Sequence, residues 1–278
     1  MEVFRPATRP LLWFFIQIAI PRYLVYKNLR TAFDNTHSLA TIRGLARGVQ
    51  HHFAQNFLDC LIQMGDRNHA NRLIAIEGIE HLESALRRGN GVIALGAHIG
   101  NFVLLGARLG GEGHPFHTLI RLPDDRRIKQ MMIDYSPRYY QSIISSHPRR
   151  IAVSNILGAL KRNEIVHILS DNLKRGKVDT LLFGQGVASP RGPVSLALRS
   201  GAPLLPMYVI RNGHGDMRLV IEPEIELMRN GNLAHDIAEN TRQVVSYLEL
   251  LIQRYPDQWN WLTLHIRPPR KQQVHSSI

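Results

Sequence analysis

The sequence predicts an α/β fold in which a mainly parallel central sheet is flanked by helices. Short apolar segments of strand length alternate with segments of helical periodicity along the chain, as they do when helices connect parallel strands. The 278-residue chain also contains no long linker, repeat or low-complexity segment. We therefore expect one domain over residues 41–278, preceded by a membrane-associating segment over residues 1–40.

The most apolar stretch lies near the amino terminus, over residues 11–20. As a helix it would be roughly 15 Å long, about half of the hydrocarbon thickness of a bilayer. Arg5 and Arg9 precede it and Arg22 follows it, so basic side chains can meet anionic headgroups while apolar ones enter the interface. We expect a monotopic interfacial helix, with a buried core helix as the alternative. A cleaved signal peptide is disfavoured because no small-residue cleavage pattern precedes Pro21.

The remaining elements follow from the spacing of apolar residues. Apolar residues recur three and four positions apart over residues 41–71, which predicts the first long helix. Further helices are predicted from this spacing and from Pro and Gly at segment ends, at 80–88, 101–109, 126–135, 154–162, 193–199 and 233–254. Strands are predicted where short apolar segments lie between turn residues, at 73–76, 91–97, 116–121, 165–169, 204–210 and 217–221. The strand at 91–97 is apolar throughout, which is typical of a strand buried on both faces of a parallel sheet.

Two of these strands are followed by polar residues suited to catalysis. His98 follows the strand at 91–97 and is flanked by glycines, including Gly100, which lets a substrate approach the backbone closely. Asp171 follows another apolar strand. Ligands of open α/β sheets bind beyond the carboxyl ends of the strands, and an imidazole that titrates near neutral pH can accept a proton from a hydroxyl group. His98 is therefore the candidate general base.

Asn101 is the third candidate catalytic residue. At the start of the predicted helix at 101–109, its amide and the free backbone N–H groups would lie beside His98 and stabilise a developing oxyanion. Simpler interpretations remain open for two of the three residues. Asn101 is equally explained as a helix N-cap, and Asp171 as turn chemistry at the end of a strand.

The charge of the chain requires an acidic partner. Lys and Arg number 34 against 22 Asp and Glu, a formal net charge of +12, which suits nucleic acid, an anionic membrane surface or an acidic protein. The basic residues are scattered and no nucleic-acid-binding motif occurs, so we expect no nucleic-acid partner. No P-loop, dinucleotide-binding, serine-hydrolase or zinc-protease motif is present, and the chain has 1 cysteine. We therefore expect neither a metal nor a cofactor.

Several short motifs, in a fixed order, resemble a known family. They are EGIEHL (77–82), GNGVI (89–93), GAHIGNF (96–102), Arg121, SDN (170–172), RG (175–176), FG (183–184), GP (192–193) and YPDQWNW (255–261). Together they resemble the late acyltransferases of lipid A synthesis, the lauroyl and myristoyl transferases, and the related phosphatidylinositol-mannoside acyltransferases. The resemblance covers most of the chain beyond about residue 40, and it implies the fold of the glycerolipid acyltransferases.

The resemblance also implies an activity and a location. It implies a bacterial enzyme at the cytoplasmic face of the inner membrane that moves a fatty acyl chain from acyl-carrier protein or coenzyme A to a hydroxyl group of a glycolipid. His98 would be the general base, and Gly100, Arg121, Arg175 and Gly192 would contact substrate. For Arg121 and Arg175 the simpler interpretation is a solvated basic surface.

One position departs from the family pattern. The family has an acidic residue where this sequence has Val103, and a valine cannot orient an imidazole. In some mannoside acyltransferases an acid at the end of the later strand pairs with the histidine, so the resemblance implies that Asp171 takes this role here. The fallback acids are Glu112, Asp124 and Asp125. The alternative is a catalytically weakened or silent acyl-lipid-binding member of the family.

Overall fold

The computed structural model describes residues 21–173, 176–213 and 215–264. The interfacial helix predicted over residues 11–20 and the predicted substrate contact Arg175 therefore lie outside the described residues. Within the described ranges, no helix combines the length and the apolar character needed to cross a membrane.

Strands and helices alternate over residues 74–169, as predicted. The helices are α1 (Arg22–Phe33), α2 (Leu39–Gly65), α3 (His69–Leu73), α4 (Ile79–Leu86), α5 (Leu104–Gly111), α6 (Arg126–Tyr135), α7 (Arg149–Lys161), α8 (Gly192–Ser200) and α9 (Leu233–Arg254). The strands are β1 (Ile74–Glu77), β2 (Val92–Gly96), β3 (Phe116–Ile120), β4 (Ser142–Ser145), β5 (Ile165–Leu169), β6 (Val178–Leu182), β7 (Gln185–Ser189), β8 (Leu204–Arg211) and β9 (Met217–Ile221). Two short 3-10 turns lie at Ser136–Tyr139 and Trp261–Thr263.

Seven of the nine described strands form one sheet, in the order β1-β9-β8-β2-β5-β3-β4. Neighbouring strands run parallel except for β8 and β9, which are antiparallel. The predicted α/β fold with a mainly parallel central sheet is confirmed. Strands β6 and β7 form a separate antiparallel pair, which the sequence pattern did not predict.

The pairing of β2 with β5 determines where the candidate catalytic residues lie. The two strands are parallel, with Val92 opposite Ile165 and Gly96 opposite Leu169. All five residues of β2 are buried, as the continuous apolar run predicts. Because the strands are in register and end together, the residues that follow them emerge side by side at the carboxyl edge of the sheet.

Helix α1 packs within the main core. Its residues Val25, Leu29 and Phe33 are buried in the same cluster as the sheet residues, and the side-chain amide of Asn28 donates a hydrogen bond to the carbonyl of Trp261 at 2.7 Å. Helix α1, which lies before the boundary predicted at residue 40, thus contacts the core of the α/β fold, and the predicted domain bounds stay a prediction. This helix was not predicted from the sequence.

Candidate active site

His98 and Asp171 are joined by two hydrogen bonds. The ring Nδ1 of His98 lies 2.8 Å from Oδ1 of Asp171, and the backbone N–H of His98 donates to Oδ2 at 2.8 Å. The Asp171 side chain is fully buried, whereas the His98 side chain is 27% exposed. The carboxylate therefore fixes the ring from the buried side and leaves the opposite edge of the ring accessible.

This pairing shifts the pKa values of both residues. Burial raises the pKa of the Asp171 carboxyl, but hydrogen bonds from His98 and Trp259 outweigh burial, so the net pKa is below its ordinary value. Burial lowers the pKa of His98, but the hydrogen bond and negative charge of Asp171 outweigh it, so the net pKa is raised. Asp171 thus stays ionised and makes the imidazole more basic.

Trp259 is a third member of the arrangement, and no role at the site was predicted for it from the sequence. Its indole Nε1–H donates a hydrogen bond to Oδ2 of Asp171 at 2.8 Å, and the side chain is buried. With the backbone N–H of His98, this bond satisfies the carboxylate oxygen that does not face the ring. The only signal in the sequence was the position of Trp259 within the YPDQWNW motif.

The loop after His98 differs from the prediction. Helix α5 begins at Leu104, so Asn101 is not its N-cap. The backbone N–H of Gly100 donates to the carbonyl of Gln258 at 2.9 Å, and that of Asn101 donates to the carbonyl of Val209 at 2.8 Å. These two bonds hold the loop against Gln258 and Val209, ahead of the first turn of α5. Neither backbone N–H is available to an oxyanion.

The side chain of Asn101 is also engaged. Its amide nitrogen donates to the carbonyl of Asn56 in α2 at 3.2 Å, and its amide oxygen lies 3.5 Å from the Cys60 sulfur. One amide hydrogen remains for another acceptor. The oxyanion role of Asn101 therefore stays a prediction that rests on this single hydrogen.

An apolar cavity of about 220 Å³, the His98 cavity, lies beside the exposed edge of the ring. Its walls include Val25 of α1, Phe53 and Phe57 of α2, and Leu262 near the end of the described chain. Gly100 and Asn101 also line it. A hydrocarbon chain fits such a lining, because nearly all of the contacting surface is apolar.

A second histidine and carboxylate border the same cavity. Nε2 of His52 lies 3.3 Å from Oδ2 of Asp257, and His52 lines the cavity wall. The hydrogen bond from His52 holds the pKa of the Asp257 carboxyl below its ordinary value. No sequence pattern indicated this pair, because His52 falls within the regular apolar spacing of α2.

A buried histidine also lies beneath the site. His167 in β5 is 1% exposed, and burial lowers its pKa to about 4. A Cβ atom on Gly96 would lie 2.2 Å from Nε2 of His167, so a glycine is needed there to leave room for the ring. The neutral His167 adds no positive charge beside His98 near neutral pH.

The other predicted site residues do not join this cluster. Arg121 is exposed after β3 and Gly192 begins α8, and neither lines the His98 cavity. The fallback acids are occupied or exposed elsewhere: Glu112 pairs with Arg108, Asp125 caps α6, and Asp124 is exposed. Since Asp171 already pairs with His98, the valine at position 103 does not leave the imidazole without an acidic partner. Val103 instead lines the His98 cavity.

The arrangement is suited to general-base chemistry. With the Nδ1 proton directed at Asp171, the neutral tautomer of His98 carries its lone pair on Nε2. A hydroxyl group held there can transfer its proton to the ring, and Asp171 stabilises the imidazolium that forms. Among the described residues, no group of three or more His, Cys, Asp or Glu side chains is positioned to hold a metal ion.

Comparisons with known proteins identify similar chains. A family model described as bacterial lipid A biosynthesis acyltransferase matches residues 7–267. A phosphatidylinositol mannoside acyltransferase of Mycobacterium tuberculosis is 26% identical over 189 residues, which are 67% of this chain and 58% of that protein. The Mycolicibacterium smegmatis protein of the same name is 24% identical over 200 residues, 71% of this chain and 64% of its own length. The matched region thus spans less than two thirds of each relative.

Proposed function

This chain belongs to the bacterial lipid A biosynthesis acyltransferase family, and we propose that it transfers a fatty acyl chain from a thioester to a hydroxyl group of a glycolipid. His98 is the general base of this proposal and Asp171 its partner. The observation that carries it is the 2.8 Å contact between Nδ1 of His98 and Asp171, at the edge of an apolar cavity of about 220 Å³. Acyl transfer to a hydroxyl group requires a base that accepts the hydroxyl proton and an apolar cavity that holds the acyl chain.

The transfer proceeds in two steps at Nε2 of His98. The ring takes the proton of the acceptor hydroxyl while the hydroxyl oxygen bonds to the thioester carbonyl carbon. The tetrahedral intermediate then collapses, the carbon–sulfur bond breaks, and the imidazolium returns the proton to the departing thiolate. Asp171 stabilises the imidazolium between the two steps, and the remaining amide hydrogen of Asn101 is the proposed oxyanion donor.

The proposed substrates and location follow from the family and the charge. The donor is the thioester of acyl-carrier protein or coenzyme A, and the acceptor is a glycolipid, such as lipid A precursors or the mannosides named for the relatives. The reaction is proposed at the cytoplasmic face of the bacterial inner membrane. The formal net charge of +12 supports contact with an anionic membrane surface or an acidic carrier.

His98→Ala tests the proposal in a purified full-length chain. Each acyl thioester is offered with lipid A precursors or phosphatidylinositol mannosides, and products are identified by mass spectrometry. Removing the base should lower the rate by roughly 10²- to 10⁴-fold. The matched control is His117→Ala. His117 also pairs with a carboxylate, that of Glu164 at 2.8 Å, but it lies near the amino-terminal ends of the strands, away from His98.

Two outcomes would contradict the proposal in different ways. Full transfer by His98→Ala would remove His98 from the chemistry. Binding of acyl thioesters without turnover by the unmodified chain, on every acceptor offered, would favour the silent acyl-lipid-binding protein.

A further inference from the structure

Helix α6 is the most exposed helix of the fold in the part of the chain that is described. Nine of its ten residues are exposed, Met132 is partly buried, and none is fully buried. Four of the exposed residues are large and apolar: Ile128 (49%), Met131 (49%), Ile133 (40%) and Tyr135 (42%). The turn at Ser136–Tyr139 is the only described element with which α6 packs extensively. Large apolar side chains that stay exposed on a helix with so few packing contacts mark an interaction surface.

The inner face of α6 covers a second apolar cavity, the α6 cavity, of about 320 Å³. Met131, Met132 and Tyr135 line it from the helix, at the spacing of one helical face. Phe102 and Val103 line both this cavity and the His98 cavity. Phe102 and Val103 therefore form a wall that the α6 cavity shares with the His98 cavity.

The surroundings of α6 are positively charged. Residues 121–150 contain seven Lys and Arg, three Asp and no Glu. Arg126, Arg127 and Lys129 lie in the first turns of α6 and are exposed. The ion pairs found among the described residues involve none of these three. Exposed apolar residues beside uncompensated basic ones are the features of a helix that lies in the interface of an anionic bilayer.

We propose that α6 is a lid that docks on an anionic lipid bilayer and opens the α6 cavity to a hydrocarbon chain of a bilayer lipid. Arg126, Arg127 and Lys129 bind the lipid phosphates, while Ile128, which is exposed and does not line the α6 cavity, contacts the acyl region. The part of this inference that rests on the proposed function is that the lipid's hydrocarbon chain points towards His98. The bilayer contact itself requires no acyl transfer.

The test places a fluorophore on α6 of the full-length chain. Ile128→Cys is labelled with bimane; burial raises the pKa of the native Cys60 thiol to about 12, so that thiol does not compete for the label. Vesicles of phosphatidylglycerol with brominated acyl chains should quench most of the fluorescence, and phosphatidylcholine vesicles should quench far less. The position control is Leu250→Cys, a labelled site on α9 where the native leucine is 64% exposed, and it should not be quenched.

A charge variant tests the role of the basic residues. The combined Arg126→Gln, Arg127→Gln and Lys129→Gln variant should lower the partition coefficient on phosphatidylglycerol vesicles by about 100-fold, at roughly 1 kcal/mol per basic side chain. The matched control removes the same amount of charge near the amino-terminal ends of the strands, with Arg87→Gln, Lys161→Gln and Arg199→Gln. This control should change partitioning much less.

Three results would overturn the proposal. The first is that the label at position 128 is not quenched although the protein is bound to vesicles. The second is that the label at position 250 is quenched as much as the label at position 128. The third is that the two charge variants lower the partition coefficient equally. A label on α6 that is shielded only when the chain dimerises would assign this face to a second copy instead. Because no readout depends on turnover, the proposal can fail while acyl transfer succeeds, and it can hold while acyl transfer fails.

Discussion

At the scale of single residues, Asp171 controls how basic His98 is. Its hydrogen bond and charge raise the pKa of His98 against the opposing effect of burial. A base must be unprotonated to act, so the rate should fall as the pH drops through the pKa of His98. This acidic limb should therefore lie above the pH expected for an unpaired histidine.

Asp171→Asn should move that limb and lower the plateau. The neutral amide no longer favours the imidazolium, so the pKa of His98 falls and the acidic limb of kcat/KM shifts to lower pH. The plateau should drop by about 10²- to 10⁴-fold, because the charge formed on the ring is no longer stabilised. The measurement is the pH profile of the purified variant against the unmodified chain.

The control for this profile is Glu164→Gln. It makes the same change from carboxylate to amide beside a histidine, His117, but near the amino-terminal ends of the strands, away from His98. Its acidic limb should coincide with that of the unmodified chain. An Asp171→Asn profile that kept both its limb and its plateau would show that the carboxylate has no part in the chemistry.

The sequence predicted which residues would be near one another but not how they bond. His98 and Asp171 follow two apolar segments, and adjacent parallel strands bring such residues to one edge. The bond from Trp259 and the pair of His52 with Asp257 depend on contacts between segments far apart in sequence. No local pattern encodes such contacts. The catalytic roles of these residues stay predictions.

At the scale of elements, strongly periodic segments were predicted well and short polar ones were missed. Helix α9 and strand β5 have the predicted bounds. Strand β4 and the β6–β7 pair were not predicted, because β4 (SIIS) and β7 (QGVAS) carry few apolar residues. Their strand conformation comes from pairing with neighbours and not from local preference.

Gly100 is the position where the loop after β2 tolerates no side chain. Its φ is +54°, and an added Cβ would lie 1.8 Å from the carbonyl oxygen of Val209. Gly100→Ala should therefore lose about 1–2 kcal/mol of unfolding free energy from backbone strain, with a further loss of roughly 1–3 kcal/mol from the clash. Chemical denaturation measures the change.

Gly184→Ala separates these two costs. Gly184 has a similar φ of +68°, but no heavy atom lies within 4 Å of its added Cβ. It should therefore show only the loss from backbone strain. Equal losses for the two variants would mean that β8 can move away from the loop.

At the scale of the whole molecule, we expect α1 to unfold together with the sheet, because it packs in the same core. Leu29 is fully buried in the main core, whereas Leu24 of the same helix is 39% exposed. Leu29→Ala should lower the unfolding free energy by about 2–5 kcal/mol and shift one single transition. Leu24→Ala is the matched control and should change it by less than about 1 kcal/mol.

Thermal and denaturant unfolding, followed by circular dichroism and by tryptophan fluorescence, measure this effect. The two signals should shift together for Leu29→Ala, because Trp261 packs against Phe33 of α1, with the ring centroids 5.5 Å apart. An early separate transition, or no shift, would show that α1 folds independently of the sheet.

The loop from His98 to Asn101 donates three backbone N–H groups to three different parts of the chain: the Asp171 carboxylate, the Gln258 carbonyl and the Val209 carbonyl. Partial opening of the loop would break bonds to several elements at once. The amides of His98, Gly100 and Asn101 should therefore exchange with deuterium as slowly as those of strand β2, through global unfolding only. A ligand would then meet a site whose backbone is already in place before it arrives.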